Sequence, residues 1–235
     1  MERLDKLLAA TGQWSRKEAK ALVKAGRVQV GGARPKGPED KVAEGTPVTV
    51  DGRPIATEQG VYVMLHKPAG VVSSTQDPRE RTVLDLLPQH LRRRALFPVG
   101  RLDKDTEGLL LLTDDGPLGH ALLSPKRHVD KVYLARVDGV VDQSDVEALA
   151  RGMVLGDGLH CLPAGLEPLE DGRVCLVTLR EGKYHQVKRM MAARGKPVTY
   201  LKRLSMGPLR LDAALAPGEW RPLTREEVLS LSRFW

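Results

Sequence analysis

The sequence predicts an α+β protein: a small N-terminal α/β module followed by a larger domain built on a mixed, mainly antiparallel sheet. Three observations predict it. Two short amphipathic helical patterns open the chain, and paired valine runs ending in Gly31-Gly32 and Asp51-Gly52 follow at once. Beyond them, extended stretches arrive in runs, with too few strand-helix alternations for a doubly wound sheet. Near the middle stand four consecutive leucines, Leu109 to Leu112, between Gly108 and the Asp115-Gly116 pair. An apolar run this short is a buried strand, because a helix needs about ten residues or more.

Taken in order, Leu4, Leu7 and Leu8 recur at helical spacing and Gly12 ends the first helix. Ser15-Arg16-Lys17-Glu18 has the form of a capping box for a second helix, which turns Ala19, Leu22 and Val23 inward and stops before Gly26. Val28 to Val30 and Val48 to Val50 are strands before turns. Pro54 to Gly60 is polar and turn-rich, a linker between residues 1–58 and 59–235. Val61 to Leu65 is a strand, Thr82 to Leu87 a short helix closed by Pro88, and Leu118, Ala121 and Leu122 the inner face of a helix beginning at Pro117 and stopping before Pro125. Lys131 to Val137 alternates as a strand, with Tyr133 on the face opposite Val132, Leu134 and Arg136. A helix from Asp142 to Ala150 turns Val146, Leu149 and Ala150 inward. Leu162 to Leu169 and Val174 to Leu179 are strands, Tyr184 to Arg194 a helix with Val187, Met190 and Met191 inward, and Pro197 to Met206 extended. Thr224 to Glu227 caps a last helix.

With 235 residues there is room for one large and one small core. The 37 Lys+Arg against 30 Asp+Glu leave +7, a balance that suits a polyanionic partner. Most of it sits early. Between Met1 and Lys36, nine basic residues face three acidic ones, and Arg16, Lys17, Lys20 and Lys24 follow one another at helical spacing. With Arg3 and Arg27 these form either a nucleic-acid-binding stripe or a solvated face, and the scarcity of acids favours the stripe. Trp14 is the only aromatic of residues 1–58, so phosphate contact with folded RNA, rather than base stacking, is the expected use. Arg92, Arg93 and Arg94 make a second cluster, which either steers a phosphate backbone or lies on the surface.

Two cysteines, Cys161 and Cys175, have neither CxxC nor metal-ligand spacing and suit a reducing compartment. The first twelve residues lack a signal-peptide core, and no run reaches membrane-spanning length, so a cytoplasmic protein without membrane attachment is expected. No GxxxxGK[ST], GxGxxG or HExxH is found, which leaves no sign of nucleotide, redox or zinc chemistry.

The chemistry concentrates in Phe97 to Gly116, FPVGRLDKDTEGLLLLTDDG. Arg101 stands two residues before Asp103, and a guanidinium sharing its cavity would keep that carboxylate anionic, a nucleophile or a base. GRLDKDTEGLLLLTDDG resembles the active-site motif of the RsuA/RluB/RluE/RluF branch of pseudouridine synthases. The resemblance extends to HKPAGVVSSTQDP, KVYLARV and EGKYHQVKRM, and ERLDKLLAATG with SRKEAKALVKAGRVQVGG resembles the S4 RNA-binding module.

The resemblance implies that Asp103 is catalytic, either attacking the ribose or acting as a base. It makes Tyr133 the residue that stacks on the base and Lys188 the cation paired with the carboxylate, with Arg189 the substitute if the register is off by one. Arg101 then orients the loop or takes the place of a flipped-out nucleotide, and His185 is structural or an RNA contact. Leu209 is the candidate for a late apolar pocket residue, while Asp105 and Glu107 hold the loop by hydrogen bonds. Lys67 and Ser73 to Thr75 either contact phosphate or satisfy a loop. No cofactor or metal is implied.

The partner expected is ribosomal RNA, by resemblance of EGKYHQVKRM that of the small subunit (16S), naked or in a pre-ribosomal particle, and the protein acts as a monomer. Three rivals remain: a large-subunit (23S) synthase, a noncatalytic rRNA-binding assembly factor, and a nuclease holding Mg²⁺ through Asp103, Asp105 and Glu107.

Overall fold

The computed structural model describes every residue except 12, 44, 56–59, 125–126, 170, 232–233 and 235. The expected stops at Gly12 and Pro125 and the middle of the expected linker lie outside the described residues. The chain divides into two compact units, Met1–Val61 with Leu87–Leu96, and Tyr62–Leu86 with Phe97–Trp235.

The first unit contains β1 (Glu2–Arg3), α1 (Leu4–Ala10), α2 (Arg16–Lys24), β2 (Val28–Val30), β3 (Lys41–Val42), β4 (Val48–Val50) and β5 (Arg53–Ile55). Ser15 caps α2 as its sequence requires: its hydroxyl accepts from the Glu18 amide at 3.2 Å, and the Glu18 carboxylate accepts from the Ser15 amide at 2.6 Å. Leu4, Leu8, Ala19, Leu22 and Val23 then meet Val28, Val42, Val48 and Val50 in one apolar core. The antiparallel order β2-β4-β5 takes Pro54 and Ile55 into a strand, so the linker begins later than the composition suggests. Leu87–Leu96, carrying the short helix α3 (Gln89–Arg92), also belongs to this unit.

The second unit is organised by a nine-stranded sheet of the described residues. Its strands are β6 (Tyr62–Lys67), β7 (Phe97–Pro98), β8 (Glu107–Thr113), β9 (Lys131–Val137), β12 (Gly165–Leu169), β13 (Val174–Leu179), β14 (Val198–Met206), β15 (Leu209–Arg210) and β16 (Trp220–Pro222), while β10 (Met153–Val154) and β11 (His160–Cys161) form a separate pair. The order β12-β13-β9-β14-β8-β6-β16 is antiparallel at every step but one, β14 beside β8. That parallel contact is tight. A Cβ on Gly108 would lie 2.2 Å from the Arg203 carbonyl oxygen, and Gly108 has φ +109°, so only glycine fits there.

Helices α4 (Gly116–Leu123), α5 (Gln143–Arg151), α6 (Gln186–Ala193) and α7 (Arg225–Leu231) complete the unit. Asp115 is a helix cap rather than a turn residue, accepting from the Leu118 amide at 2.9 Å and from the Tyr62 hydroxyl at 2.8 Å. In α5 Leu149 is buried and Val146 packs against the core as expected, but Ala150 is exposed and Asp145 is fully buried instead, between Arg194 at 2.8 Å and Lys196 at 2.5 Å. Apolar spacing could not reveal a buried carboxylate satisfied from another helix end. Strand β12 starts at Gly165, three residues later than expected, and Thr82 to Leu87 forms only the 3-10 turn Val83–Leu86. Cys161 and Cys175 are free buried thiols, and burial pushes Cys175 up to about 11.

Candidate active site

The loop between β7 and β8 is held by neighbours that the acidic motif itself does not supply. Lys67, at the end of β6, is fully buried, and its ammonium donates to the carbonyls of Pro68 at 2.9 Å, Lys104 at 3.3 Å and Thr106 at 2.9 Å. Ser73 both accepts from the Leu102 amide at 3.0 Å and donates to the Leu102 carbonyl at 2.9 Å. The Gly70 amide donates to the Lys104 carbonyl, and the Thr106 amide closes a turn on the Asp103 carbonyl at 3.0 Å. The peptide groups of Leu102 and Thr106 and the carbonyls of Asp103 and Lys104 thus all have partners, so the Asp103 side chain projects from a held backbone. Lys67 therefore satisfies the loop, which resolves the alternatives its sequence left open.

The carboxylate of Asp103 points to α6. Lys188, in the first turn of that helix, brings its ammonium to 3.0 Å from Asp103 Oδ2 and 2.5 Å from Asp105 Oδ1, and His185 Nε2 lies 3.5 Å from Asp103 Oδ1. Burial opposes the charge on Lys188, but hydrogen bonds to Asp105 and Asp103 outweigh it and hold the ammonium above the ordinary lysine value. The same hydrogen bond from Lys188 holds Asp105 below the ordinary carboxylate value, against its own desolvation. Burial pushes Lys67 down to about 8, although the carboxylates of Asp105, Asp103 and Glu107 pull the other way. One cation thus neutralises two anions at the cleft, and a second, buried one supports their loop from behind.

A narrow cleft opens over this group, lined by Arg101, Leu102, Asp103, Thr106, Tyr133, Leu179, Lys183, His185, Val187 and Leu201 among others. Tyr133 reaches it because its face of β9 is the buried one, opposite Arg203 of β14 in the ladder. A larger groove of about 680 Å³, lined by Asp115, His120, Arg127 and others, shares no residue with this cleft. Its lining includes neither the Asp103 carboxylate nor Tyr133, so chemistry rather than volume selects the Asp103 cleft.

Residues 61–193 match the family model for RNA pseudouridylate synthase, and residues 2–48 match the S4 domain. The chain belongs to the RNA pseudouridylate synthase family. It is 50% identical over 230 residues to an uncharacterised RNA pseudouridine synthase of Bacillus subtilis, covering 96% of both chains. It is 42% identical over 231 residues to the ribosomal small subunit pseudouridine synthase A of Escherichia coli K12, covering 97% of this chain and 99% of the relative. A crystal structure of a pseudouridylate synthase is 37% identical, with TM-score 0.69, covering 98% of this chain and 100% of that one. The synthase is accordingly an isomerase that converts uridine to pseudouridine.

Within it, Asp103, Tyr133, Lys188, His185 and Arg101 all line or adjoin one cleft. Two expectations need correction. Arg101 lines the cleft, but among the described residues the cation paired with Asp103 is Lys188, with the His185 ring at 3.5 Å, because the start of α6 brings both to the carboxylate from across the chain. Leu209 is buried in a different apolar cluster, and Leu179, Val187 and Leu201 supply the apolar wall. Arg189 is paired with Asp157 at 2.5 Å, so the register that chose Lys188 needs no shift. The Mg²⁺ alternative needs Asp103, Asp105 and Glu107 to converge, yet Lys188 stands between the first two and Glu107 accepts from the Tyr200 hydroxyl at 2.8 Å.

The basic stripe is partly engaged. Asp5, fully buried, accepts two hydrogen bonds from Arg3, with Arg16 at 3.7 Å and Lys20 at 3.9 Å, so one anion gathers three cations. Arg27 pairs with Asp51 at 2.5 Å, while Lys17 and Lys24 are exposed. Arg92, Arg93 and Arg94 belong to this unit rather than to the cleft, and Arg93 acts electrostatically on Glu18 of α2. Lys67 and Ser73 were the residues whose role the sequence left open. The signal for them was a lysine ending an apolar strand, where a charge survives only with partners.

Proposed function

We propose that the synthase isomerises a uridine of small-subunit (16S) ribosomal RNA, with Asp103 as the catalytic residue. The reaction breaks the bond from the ribose C1′ to N1 of the base, rotates the base and joins C1′ to C5. C5 loses its proton and N1 gains one, so no electron donor or energy source is consumed. A stacked nucleotide has to leave the helix to reach a cleft, which implies flipping. The observation that carries the assignment is the Asp103–Lys188 pair, 3.0 Å apart, with Asp103 lining the same cleft as Tyr133. The carboxylate held there acts at the ribose, as nucleophile or base, while the Tyr133 ring stacks on the uracil and Lys188 holds the carboxylate in place. Arg101, exposed in the same cleft, is left to contact RNA.

Residues 1–58 act as the RNA-binding module and 59–235 as the catalytic domain, with Arg3, Arg16, Lys17, Lys20, Lys24, Arg27 and Arg92 to Arg94 facing phosphates and His185 and Arg189 nearer the cleft. The small-subunit target is supported by the name carried by the Escherichia coli relative. The protein works as a monomer in the cytoplasm, on rRNA that is free or in a pre-ribosomal particle. Mapping pseudouridines in rRNA from cells with and without the protein tests the target. A site missing from the small subunit is expected, and one missing from the large subunit alone overturns the assignment.

A further inference from the structure

The segment before α6 departs from its expected helix. Instead of continuing through Tyr184, the backbone turns left-handed at His185, with φ +50° and ψ +33°, and the helix begins at Gln186. A non-glycine residue held there carries strain that its surroundings must offset. They do so by clamping the turn. Glu181 accepts from Gln186 Nε2 at 2.5 Å and from the Leu162 amide at 2.8 Å, and Gln186 accepts from the Lys183 amide at 3.1 Å.

The product of this turn is an exposed aromatic ring. Tyr184 is 76% exposed, whereas every other described aromatic side chain is buried or half-buried. Its inner face lies on the His185 imidazole, with ring centroids 3.8 Å apart and planes 18° from parallel. The same His185 reaches within 3.5 Å of Asp103, and Lys183 and His185, on either side of Tyr184, both line the cleft. The outer face of the ring is therefore open, rigidly backed, and beside the place where a uridine must enter.

We infer that Tyr184, stacked on His185, is a platform for the base of an unpaired nucleotide next to the flipped uridine. Planar stacking is the interaction a bare, backed ring offers, and every nucleobase has a face to meet it. Arg101, exposed in the adjoining cleft, suits the backbone phosphate of the same nucleotide. The inference rests on Asp103 being the catalytic centre, and it adds a specificity-determining residue that does not touch the reacting atoms.

The test uses the full-length protein and a short rRNA fragment spanning the uridine found by mapping, prepared with the normal flanking base and with an abasic flank. Loss of one base stack on Tyr184→Ala raises KM roughly tenfold and leaves kcat within about threefold. Tyr184→Phe keeps the ring and stays near wild type. The abasic flank raises the wild-type KM by the same factor, and Tyr184→Ala adds nothing further to it. Because the side chain is exposed, the melting temperature of the variant stays at the wild-type value, which separates the effect from unfolding. An unchanged KM overturns the inference. So does a fall in kcat alone, which would mean that Tyr184 acts through His185 on Asp103, and so does a Tyr184→Phe variant as impaired as Tyr184→Ala. An Asp103→Asn protein that modifies the same RNA at the wild-type rate instead overturns the reading of the Asp103 site itself.

Discussion

Replacing Lys188 by methionine removes the charge from the cleft while keeping the apolar stem, and its cost can be worked from the geometry. At 3.0 Å, unit charges in an effective dielectric of about 20 attract by about 5 kcal/mol. Lys188 and Asp103 remain 22% and 24% exposed, so water screens part of this, and the desolvation already spent on the lysine is recovered. A net of about 2–3 kcal/mol remains, at the lower edge of what breaking a buried pair costs. If that stabilisation is used in the transition state, kcat/KM falls roughly 30- to 150-fold. The assay is release of tritium from RNA labelled at C5 of uridine, because the new bond displaces that hydrogen. Lys188→Arg keeps the positive charge and loses less. A Lys188→Met enzyme within about threefold of wild type refutes the claim that this cation sustains the reactive carboxylate.

Three further outcomes follow from the supporting structure. Hydrogen bonds from Arg3 hold the buried Asp5 carboxyl below the ordinary carboxylate value, against burial, so its contribution is present above about pH 4 and is lost as pH falls through the lowered folded value. Asp5→Asn therefore lowers the stability of the first unit by about 2 kcal/mol at pH 7, and the gap to wild type closes in thermal melts as the pH is lowered. Gly108→Ala forces a Cβ onto the Arg203 backbone, and soluble yield or melting temperature should collapse, by more than about 4 kcal/mol. Burial depresses Lys67 from 10.5 to about 8, so between these values the unfolded chain binds the extra proton and this residue's contribution to stability rises with pH. Lys67→Met abolishes that rise, leaves the Pro68, Lys104 and Thr106 carbonyls short of a donor, and costs about 3 kcal/mol in denaturant titrations.

What could be read from the sequence was what is encoded locally. The α2 capping box needs only Ser15 and Glu18 three residues apart, and the Leu109 to Leu112 strand needs only its brevity and its flanking residues. That Asp103, Tyr133 and Lys188 would lie together was legible because their motifs are long, and the structure brings them to one cleft. What escaped depends on partners distant in the chain. Arg101 is close to Asp103 in sequence, yet Lys188, 85 positions away, makes the contact, because α6 packs its first turn over the loop. Asp145 is buried only because Arg194 and Lys196 meet it, and Arg92 to Arg94 are drawn to the first unit although they precede the Asp103 loop. Tyr184 looked helical because the periodicity of Val187, Met190 and Met191 runs on past the point where the backbone reverses its hand.

The account depends on a single carboxylate oxygen. Asp103→Asn preserves size and removes the charge, so the full-length variant should bind rRNA within about threefold of wild type and form no pseudouridine above background when the labelled RNA is digested and its nucleosides are separated. Pseudouridine formed at near the wild-type rate by that variant would contradict it.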